Sequence, residues 1–307
     1  MKEFRYRPDA KYTVLTDIDG TIRRFDGIIP DSTRETIRRL REAGHRVLIC
    51  SGRPEPEIEP NIMELGFDGV VSAGGARVTL DGKCIEDVTI PRNKLLSLGR
   101  DLIRRGVVCG FQSHKAVYVV KEQEAAYRDI SDRTQKLLPP GADRLLLLPK
   151  PAESLEILEN IEKLMFLSDD VPHADVIRDW GDKFRFLPVS FPSPVPYGGE
   201  ITSLSVNKGR AVETLISSCG IARDTIIGVG DGDNDIELIE SAGFGIAMGN
   251  GTEGARKAAD LVADRIENDG FAKAFSSLGF FGYGFRIRSG FPAPGPAVLC
   301  NGPLPGR

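Results

Sequence analysis

The sequence predicts an α/β protein, a parallel sheet interleaved with helices into which a second, mixed layer of structure is inserted. Three observations predict it. A strand, a helix and a second strand follow one another within residues 11–50, the βαβ unit of a parallel sheet with its right-handed crossover. From residue 76 the rhythm changes to alternating sequence broken at a hairpin-type turn, ARVTL, then Asp81 and Gly82, then KCIED. After Thr202 the helix and strand alternation resumes. A chain of 307 residues is long enough for one large domain or two smaller ones, each with its own core.

Lys11, Tyr12, Thr13, Val14 and Leu15 are mostly β-branched, aromatic or aliphatic and read as the first strand. Pro30 and Asp31 introduce a helix, STRETIRRLREA, in which Ile37 and Leu40 share a face and Gly44 supplies the stop. RVLIC is the second strand; a helix near Glu57 to Leu65 and a strand from Gly69 to Ser72 extend the pattern. Between about Pro91 and Tyr197, helical stretches (NKLLSLGRDLIRR, ESLEILENIEKLMFL) alternate with short strands (KAVYVV, RLLLL). LPVSFPSPVPYGG, rich in proline and glycine, reads as a connection back to the first layer. Then come a helix carrying AVETLISSCG, the strand TIIGVG, a helix after DGDNDIELIE, a strand around FGIAM and a last helix near Gly270 to Ser277. Beyond it the chain loses periodicity and reads as a flexible tail or an appendage.

The composition, 41% hydrophobic and 27% charged, is that of a globular protein. With 40 basic and 44 acidic residues, a net charge of −4, nothing suggests a nucleic-acid or anionic-membrane surface. Arginine pairs such as Arg23 with Arg24 are expected to be local and solvated. Cys50, Cys84, Cys109, Cys219 and Cys300 are scattered and odd in number, which reads as reduced thiols. No signal-like or membrane-spanning run is present, and a cytoplasmic protein is expected.

Polar clusters at strand or helix ends carry the chemistry. In chain order they are Asp17, Asp19, Gly20 and Thr21; then Ser51, Gly52 and Arg53; then Asn207, Lys208 and Gly209; then Asp231, Gly232, Asp233, Asn234 and Asp235. The first of them, within TDIDGT, reads equally well as an ordinary turn when taken alone. If these ends share one edge of a parallel sheet, several carboxylates converge there, and their repulsion calls for a hard cation, most simply Mg2+. Lys208 and the Ser51 hydroxyl suit phosphate oxygens. A carboxylate nucleophile, a metal and a lysine facing a phosphoryl group make an apparatus for phosphoryl transfer.

Together, and in this order, the clusters resemble the motifs of the haloacid dehalogenase superfamily of phosphatases: DxDGT, a strand-end Ser or Thr, a Lys, and GDGxND. The similarity spans roughly residues 12 to 275, with GDGDND its most specific part. The insertion between the Ser and Lys motifs, with VNKGRAV and AMGNGTEGARKAADLVA, resembles the Cof-type subfamily. The resemblance implies a Rossmann-like parallel core, residues 1–82 and 200–277, and an inserted α+β cap, residues 83–199, followed by the tail 278–307.

It also implies roles. Asp17 would be the nucleophile, and Asp19 would protonate the leaving group and then deprotonate water. Asp17, the Asp19 carbonyl and Asp231 would hold the metal. Ser51, Gly52, Arg53 and Lys208 would bind the phosphoryl group, with Asn234 and Asp235 supporting Lys208 or the metal. Asp233 reads as a solvated helix-start residue, Arg53 as either a substrate contact or a salt bridge that fixes its loop, and Asn250 as either a turn former or a backbone clamp. His45, His114 and His173 lack metal-ligand spacing and read as surface or packing residues. In SAGGA, Gly74 stands where the subfamily usually carries an Asn.

The implied activity is a Mg2+-dependent phosphomonoesterase acting on a small phosphorylated metabolite such as a sugar phosphate, with no nucleic-acid or membrane partner. A phosphomutase, or a silent module that only binds such a ligand, is the alternative. Lys115, Arg178, Lys183, Arg185 and Glu200 are candidate substrate contacts in or next to the cap.

Overall fold

The computed structural model describes residues 2–137, 149–189 and 193–281. In chain order the first part holds β1 (Thr13–Thr16), α1 (Asp31–Glu42), β2 (Arg46–Cys50), α2 (Pro60–Met63), β3 (Gly69–Ser72), β4 (Arg77–Leu80) and β5 (Lys83–Asp87). The middle holds α3 (Arg92–Arg104), β6 (Val108–Gln112), β7 (Val117–Val120), α4 (Glu124–Leu137), β8 (Lys150–Ala152), β9 (Lys163–Ser168), α5 (His173–Trp180), β10 (Phe184–Leu187) and β11 (Tyr197–Ser203). The last part holds α6 (Lys208–Cys219), β12 (Ile226–Gly230), α7 (Ile236–Ser241), β13 (Phe244–Ala247), α8 (Glu253–Ala258), β14 (Leu261–Val262) and α9 (Gly270–Ser277).

Two sheets result. The first has the order β14-β13-β12-β1-β2-β3-β4-β5 and is parallel from β14 to β3. Its strands β1, β3 and β12 are buried along their whole length, as strands covered by helices on both faces must be. The α1 helix turns Ile37 and Leu40 inward, carries Asp31 in its first turn and Arg39 and Arg41 in its last, and ends before Gly44 at φ 79. Because β1 lies between β12 and β2, the chain leaves it toward one side and returns on the other. Ligands of open α/β sheets bind at the carboxyl ends of such strands, and Asp17 follows β1 directly.

The second sheet has the order β10-β11-β9-β6-β7-β8 and is antiparallel except where β8 meets β7. This is the inserted layer that the change of rhythm predicts, with α3 and α5 packed against it in one apolar cluster. The sequence boundary at 82/83 falls inside the β4–β5 hairpin, whose second strand pairs into the first sheet, and that at 199/200 falls inside β11, a strand of the second.

Several expectations about single elements are overturned. ESLEILENIEKLMFL is not a helix: a short 3-10 turn, Leu155–Ile157, is followed by Asn160 at φ 53 and then by β9. All six residues of β9 are buried at the centre of the sheet, between β11 and β6. Such an apolar run has no period that separates strand from helix. The end of the proline-rich connection, YGG, is likewise part of β11. The helix near Glu57 to Leu65 is reduced to a 3-10 turn, Glu55–Glu57, and the single turn of α2. The expected strand RLLLL lies outside the described residues.

Of the expected tail, residues 278–281 are described and pack on the core. Phe280 is 8% exposed and stacks among Tyr6, Tyr12, His45 and Phe275 at ring distances of 4.8 to 5.4 Å. Residues 282–307 lie outside the described part. Among the described residues no helix is long and apolar enough to cross a membrane. Replacing Phe280 by Ala is expected to cost about 3 kcal/mol in urea unfolding; an unchanged midpoint would show that the first sheet is complete without this residue.

Candidate active site

The motif ends meet at the carboxyl edge of the first sheet. Asp17 Nα donates to the Val229 carbonyl at 2.9 Å, which fixes the end of β1 against β12. Lys208 is the first residue of α6 and is buried. Its Nζ donates to Asp17 Oδ1 and to Asp235 Oδ1, each at 2.5 Å. A cation at a helix N-terminus opposes the helix dipole, and a buried ammonium is costly without partners. The two carboxylates compensate both. The helix start is secured by Asn207, whose Oδ1 accepts the Arg210 amide at 2.9 Å. Asp235 Oδ2 accepts the amides of Asp231 and Gly232 at 3.0 and 2.9 Å, folding the GDGDND loop back on itself.

Carboxylate oxygens of Asp17, Asp231 and Asp235 lie within 4.8 Å of one another. Thr21 Oγ1 donates to Asp231 Oδ1 at 2.9 Å, yet Lys208 is the one ammonium in contact with the trio among the described residues. The Asp17 carboxyl is accordingly raised to about 7, by burial first and by the Asp235 and Asp19 charges, against the lowering effect of Lys208. Asp231 is raised to about 8, by burial and then by Asp17 and Asp235. Burial alone would lower the Lys208 pKa; Asp17 and Asp235 outweigh it, and the net direction is up. An all-oxygen, electron-rich cluster short of positive charge suits a hard divalent cation. Gly20 keeps this space clear: its φ is +85, and a Cβ there would lie 2.2 Å from Asp231 Oδ2. The loop is clamped by Asn250, whose Nδ2 donates to the Gly20 carbonyl at 2.8 Å while its Oδ1 accepts the Ile266 amide at 2.9 Å. Of its two sequence readings, the backbone clamp holds.

The Asp19 carboxylate points elsewhere. Its Oδ1 accepts from Arg23 Nη2 and its Oδ2 from Arg53 Nη2, both at 2.7 Å. Both guanidiniums also reach Glu59, Arg23 Nη1 at 2.8 Å and Arg53 Nη1 at 2.5 Å. Arg23, expected to be solvated, is only 5% exposed, because two carboxylates surround it. Arg53 is held in salt bridges with Asp19 and Glu59. Sequence reasoning missed Arg23 and Glu59; Asp19 and Arg53 lie close to them in the chain, but the bond that joins Arg23 to Glu59 spans thirty-six residues and no local spacing announces it. Ser51 is buried, and its Oγ accepts the Arg53 amide at 3.2 Å. Asp233 and Asn234 are exposed, and Asp233 Oδ1 accepts from Thr252 Oγ1 at 2.5 Å.

Two neighbouring hollows adjoin the cluster. One, of about 140 Å3, is lined by Asp17, Asp19, Ser51, Arg53, Asp231 and Asn234. The other, of about 280 Å3, lies beneath the second sheet and shares Gly52 and Asn234 with the first; Lys208, Gly74, Glu200, Arg185 and Leu187 line it. Gly74, at φ +70, has nothing within 4 Å of where a Cβ would sit, so the missing amide leaves open space. Of the basic candidates in the inserted layer, Lys115, Arg178, Lys183 and Arg185, only Arg185 lines this hollow, paired with Glu237. Arg178 is paired with Asp175 and Asp179, Lys183 lies over the Trp180 ring, and Lys115 lines a separate hollow. Lys163 of β9 pairs with Glu200 at 2.9 Å and donates to the Gly52 carbonyl at 2.6 Å, so the second sheet touches the Ser51 loop directly.

Fold and site define an α/β enzyme with an acidic crevice at the switch point of a parallel sheet and a second sheet set over it. The chain belongs to the haloacid dehalogenase-like hydrolase family, whose pattern matches residues 14–275. It is 28% identical over 266 residues to YkrA of Bacillus subtilis, covering 87% of this chain and 97% of that one. It is also 28% identical over 284 residues to the 5-amino-6-(5-phospho-D-ribitylamino)uracil phosphatase YitU of the same organism, covering 85% and 95%. Among solved structures, a protein of Geobacillus kaustophilus superposes with a TM-score of 0.76 at 23% identity, over 89% of this chain and all (100%) of that one. The subclass IIB sugar phosphatase BT4131 superposes at 0.72 and 23%, over 88% and 100%. The expected family and capped α/β fold are thus found.

The raised carboxyls carry a pH consequence. Asp17 and Asp231 keep their protons to higher pH folded than unfolded, so folding takes up protons between about pH 4 and about pH 8, and stability falls as pH rises through that window. Metal-free protein is expected to unfold at lower urea at about pH 8 than at about pH 6. Added Mg2+ should reverse the loss, and Asp231→Asn should flatten it. Midpoints indifferent to both pH and Mg2+ would contradict this electrostatic picture.

Proposed function

We propose that this protein is a Mg2+-dependent phosphomonoesterase that hydrolyses a small phosphorylated metabolite through an aspartyl phosphate on Asp17. The observation that carries the reading is the contact of Lys208 with Asp17 and Asp235 at 2.5 Å beside Asp231, where the acidic hollow and the hollow beneath the second sheet adjoin. The donors fit Mg2+: carboxylate oxygens only, too many for Lys208 to balance. Asp17 and Asp231 would hold the ion, with Asp235 or the Asp19 carbonyl completing its surroundings. When bound, Mg2+ would let these carboxylates ionise together and draw charge from the phosphoryl oxygens.

The Asp17 oxygen not bonded to Lys208 attacks phosphorus. The bond to the leaving oxygen breaks, and that oxygen takes a proton from Asp19. Water then attacks the phosphoryl group, gives its proton to Asp19 and releases Asp17. Lys208, the Ser51 hydroxyl and the Gly52 amide bind the phosphoryl oxygens and meet the charge that builds on them. The arginine clamp assigns Arg53 to positioning: to serve as the acid, the Asp19 carboxylate has to turn from the two guanidiniums toward the substrate and take up a proton from water, which it then passes to the leaving oxygen.

The larger hollow receives the leaving group. Glu200, Asn207 and Arg185 offer polar contacts and Leu187 and Val189 an apolar one, a lining that suits a sugar phosphate or a similar ester. Relatives named for phosphatase activity toward 5-amino-6-(5-phospho-D-ribitylamino)uracil and phosphoglycolate support this substrate class. We assign the catalytic unit to the first sheet and its helices, and the cap to the second sheet, with joints near Val88 and Leu204.

Asp17→Asn is expected to lower phosphate release from an aryl phosphate by at least about 10^3-fold, with thermal unfolding retained. Turnover that survives in this variant would sink the mechanism. A panel of sugar, nucleotide and vitamin phosphates is expected to yield free phosphate with Mg2+ and none after chelation. An isomeric sugar phosphate in place of free phosphate would make the enzyme a mutase.

A further inference from the structure

A second group of metal-ligating side chains lies where the two sheets join, away from Asp17. Asp87 ends β5 at the edge of the first sheet, His114 lies between β6 and β7, and Glu162 immediately precedes β9. One ligand atom from each lies within 4.8 Å of the other two. His114 Nδ1 is 3.3 Å from Glu162 Oε1 and 3.8 Å from Asp87 Oδ2. The Glu162 side chain is wholly buried, at 0% exposure, and neither of its oxygens has a hydrogen-bond partner; His114 Nδ1 has none either.

Glu162 cannot withdraw to solvent. Its amide donates to the Gln112 carbonyl at 2.9 Å, and the preceding Ile161 carbonyl accepts the Ile90 amide at 2.7 Å, so the backbone is pinned on both sides. A buried carboxylate without donors is costly. Its pKa rises to about 7, through burial first and then the Asp87 charge, against lowering by Arg77 and by the His114 amide, which approaches the carboxylate without reaching hydrogen-bond geometry. Arg77 is the nearby fixed cation, but its Nη1 donates to Asp87 Oδ2 at 2.7 Å and it also pairs with Glu55 at 3.4 Å. Among the described residues it makes no bond to Glu162.

We propose that Asp87, His114 and Glu162 form a divalent-cation site, best suited to Zn2+, that ties the second sheet to the edge of the first. One imidazole nitrogen with two carboxylates is a donor set that borderline ions favour over Mg2+. Ligands about 2.0–2.1 Å from a tetrahedral Zn2+ stand roughly 3.4 Å apart, close to the 3.3 and 3.8 Å seen here. Asp87 and His114 keep 27% and 21% of their side chains exposed, which leaves an entry path and room for a water as the fourth ligand. Asp87 either gives the ion its second oxygen or releases Arg77. A protonated His114 is the competing cation, but its close approach to Glu162 lacks hydrogen-bond alignment. The site stands independently of the phosphatase reading.

The test is calorimetric titration of the chelator-treated full chain with Zn2+, with Mg2+ present in excess to occupy the acidic edge. One Zn2+ per chain is expected in the wild type and equally in Asp17→Asn. His114→Ala and Glu162→Gln should bind it at least about tenfold more weakly. Because His114 is partly exposed, its variant is expected to stay folded, and a thermal melt checks this; should Glu162→Gln fail to fold, His114→Ala decides. Wild-type affinity in His114→Ala, loss of the ion in Asp17→Asn, or no Zn2+ bound by the wild type would each overturn the site.

Discussion

The structure turns on one buried ammonium. Lys208 Nζ joins Asp17, at the end of β1, to Asp235, in the loop after β12, and does so from the first residue of α6. Three segments far apart in sequence are thereby drawn to one point. Neither carboxylate would tolerate burial alone, nor would the lysine at a helix start. Asp235 uses its other oxygen to collect the amides of Asp231 and Gly232, so the same contact also shapes the acidic loop. The balance is incomplete: Lys208 is one positive charge against three carboxylates, and that deficit suits the edge to a cation.

A second network sets the neighbouring acid apart from this balance. Asp19 is only two residues from Asp17, yet Arg23, Arg53 and Glu59 enclose its carboxylate and hold it in a different direction. Two aspartates on one short turn thus have opposite environments, one starved of positive charge and one rich in it. The second sheet enters through Lys163, which bonds the Gly52 carbonyl and Glu200 together. A shift of that sheet would therefore be felt at the Ser51 loop, next to the phosphoryl pocket.

Much of this was legible in the sequence, and for a physical reason. TDIDGT, the Ser51 loop, Lys208 and GDGDND each follow a strand or open a helix, and in a parallel sheet such ends must share an edge. The βαβ periodicity of residues 11–50 is likewise local. What was illegible depends on tertiary partners. KLMFLS has no period of its own, and only its central place in the second sheet makes it a strand. Arg23 looks like half of a solvated arginine pair until Glu59, from a segment thirty-six residues away, closes on it. His114 shows no spacing to Asp87 or Glu162 in sequence, because Asp87 ends a strand of one sheet and Glu162 precedes a strand of the other.

The central claim is that Asp17, freed of competing cations on one oxygen, takes the phosphoryl group. The most direct measurement is acid quenching during turnover of a phosphomonoester with Mg2+, followed by peptide mass spectrometry, using Asp19→Asn to slow the hydrolytic half. The account predicts a phosphoryl group on the peptide that holds Asp17 and on no other. Phosphorylation of a different residue, or product released with the enzyme never labelled, would contradict it.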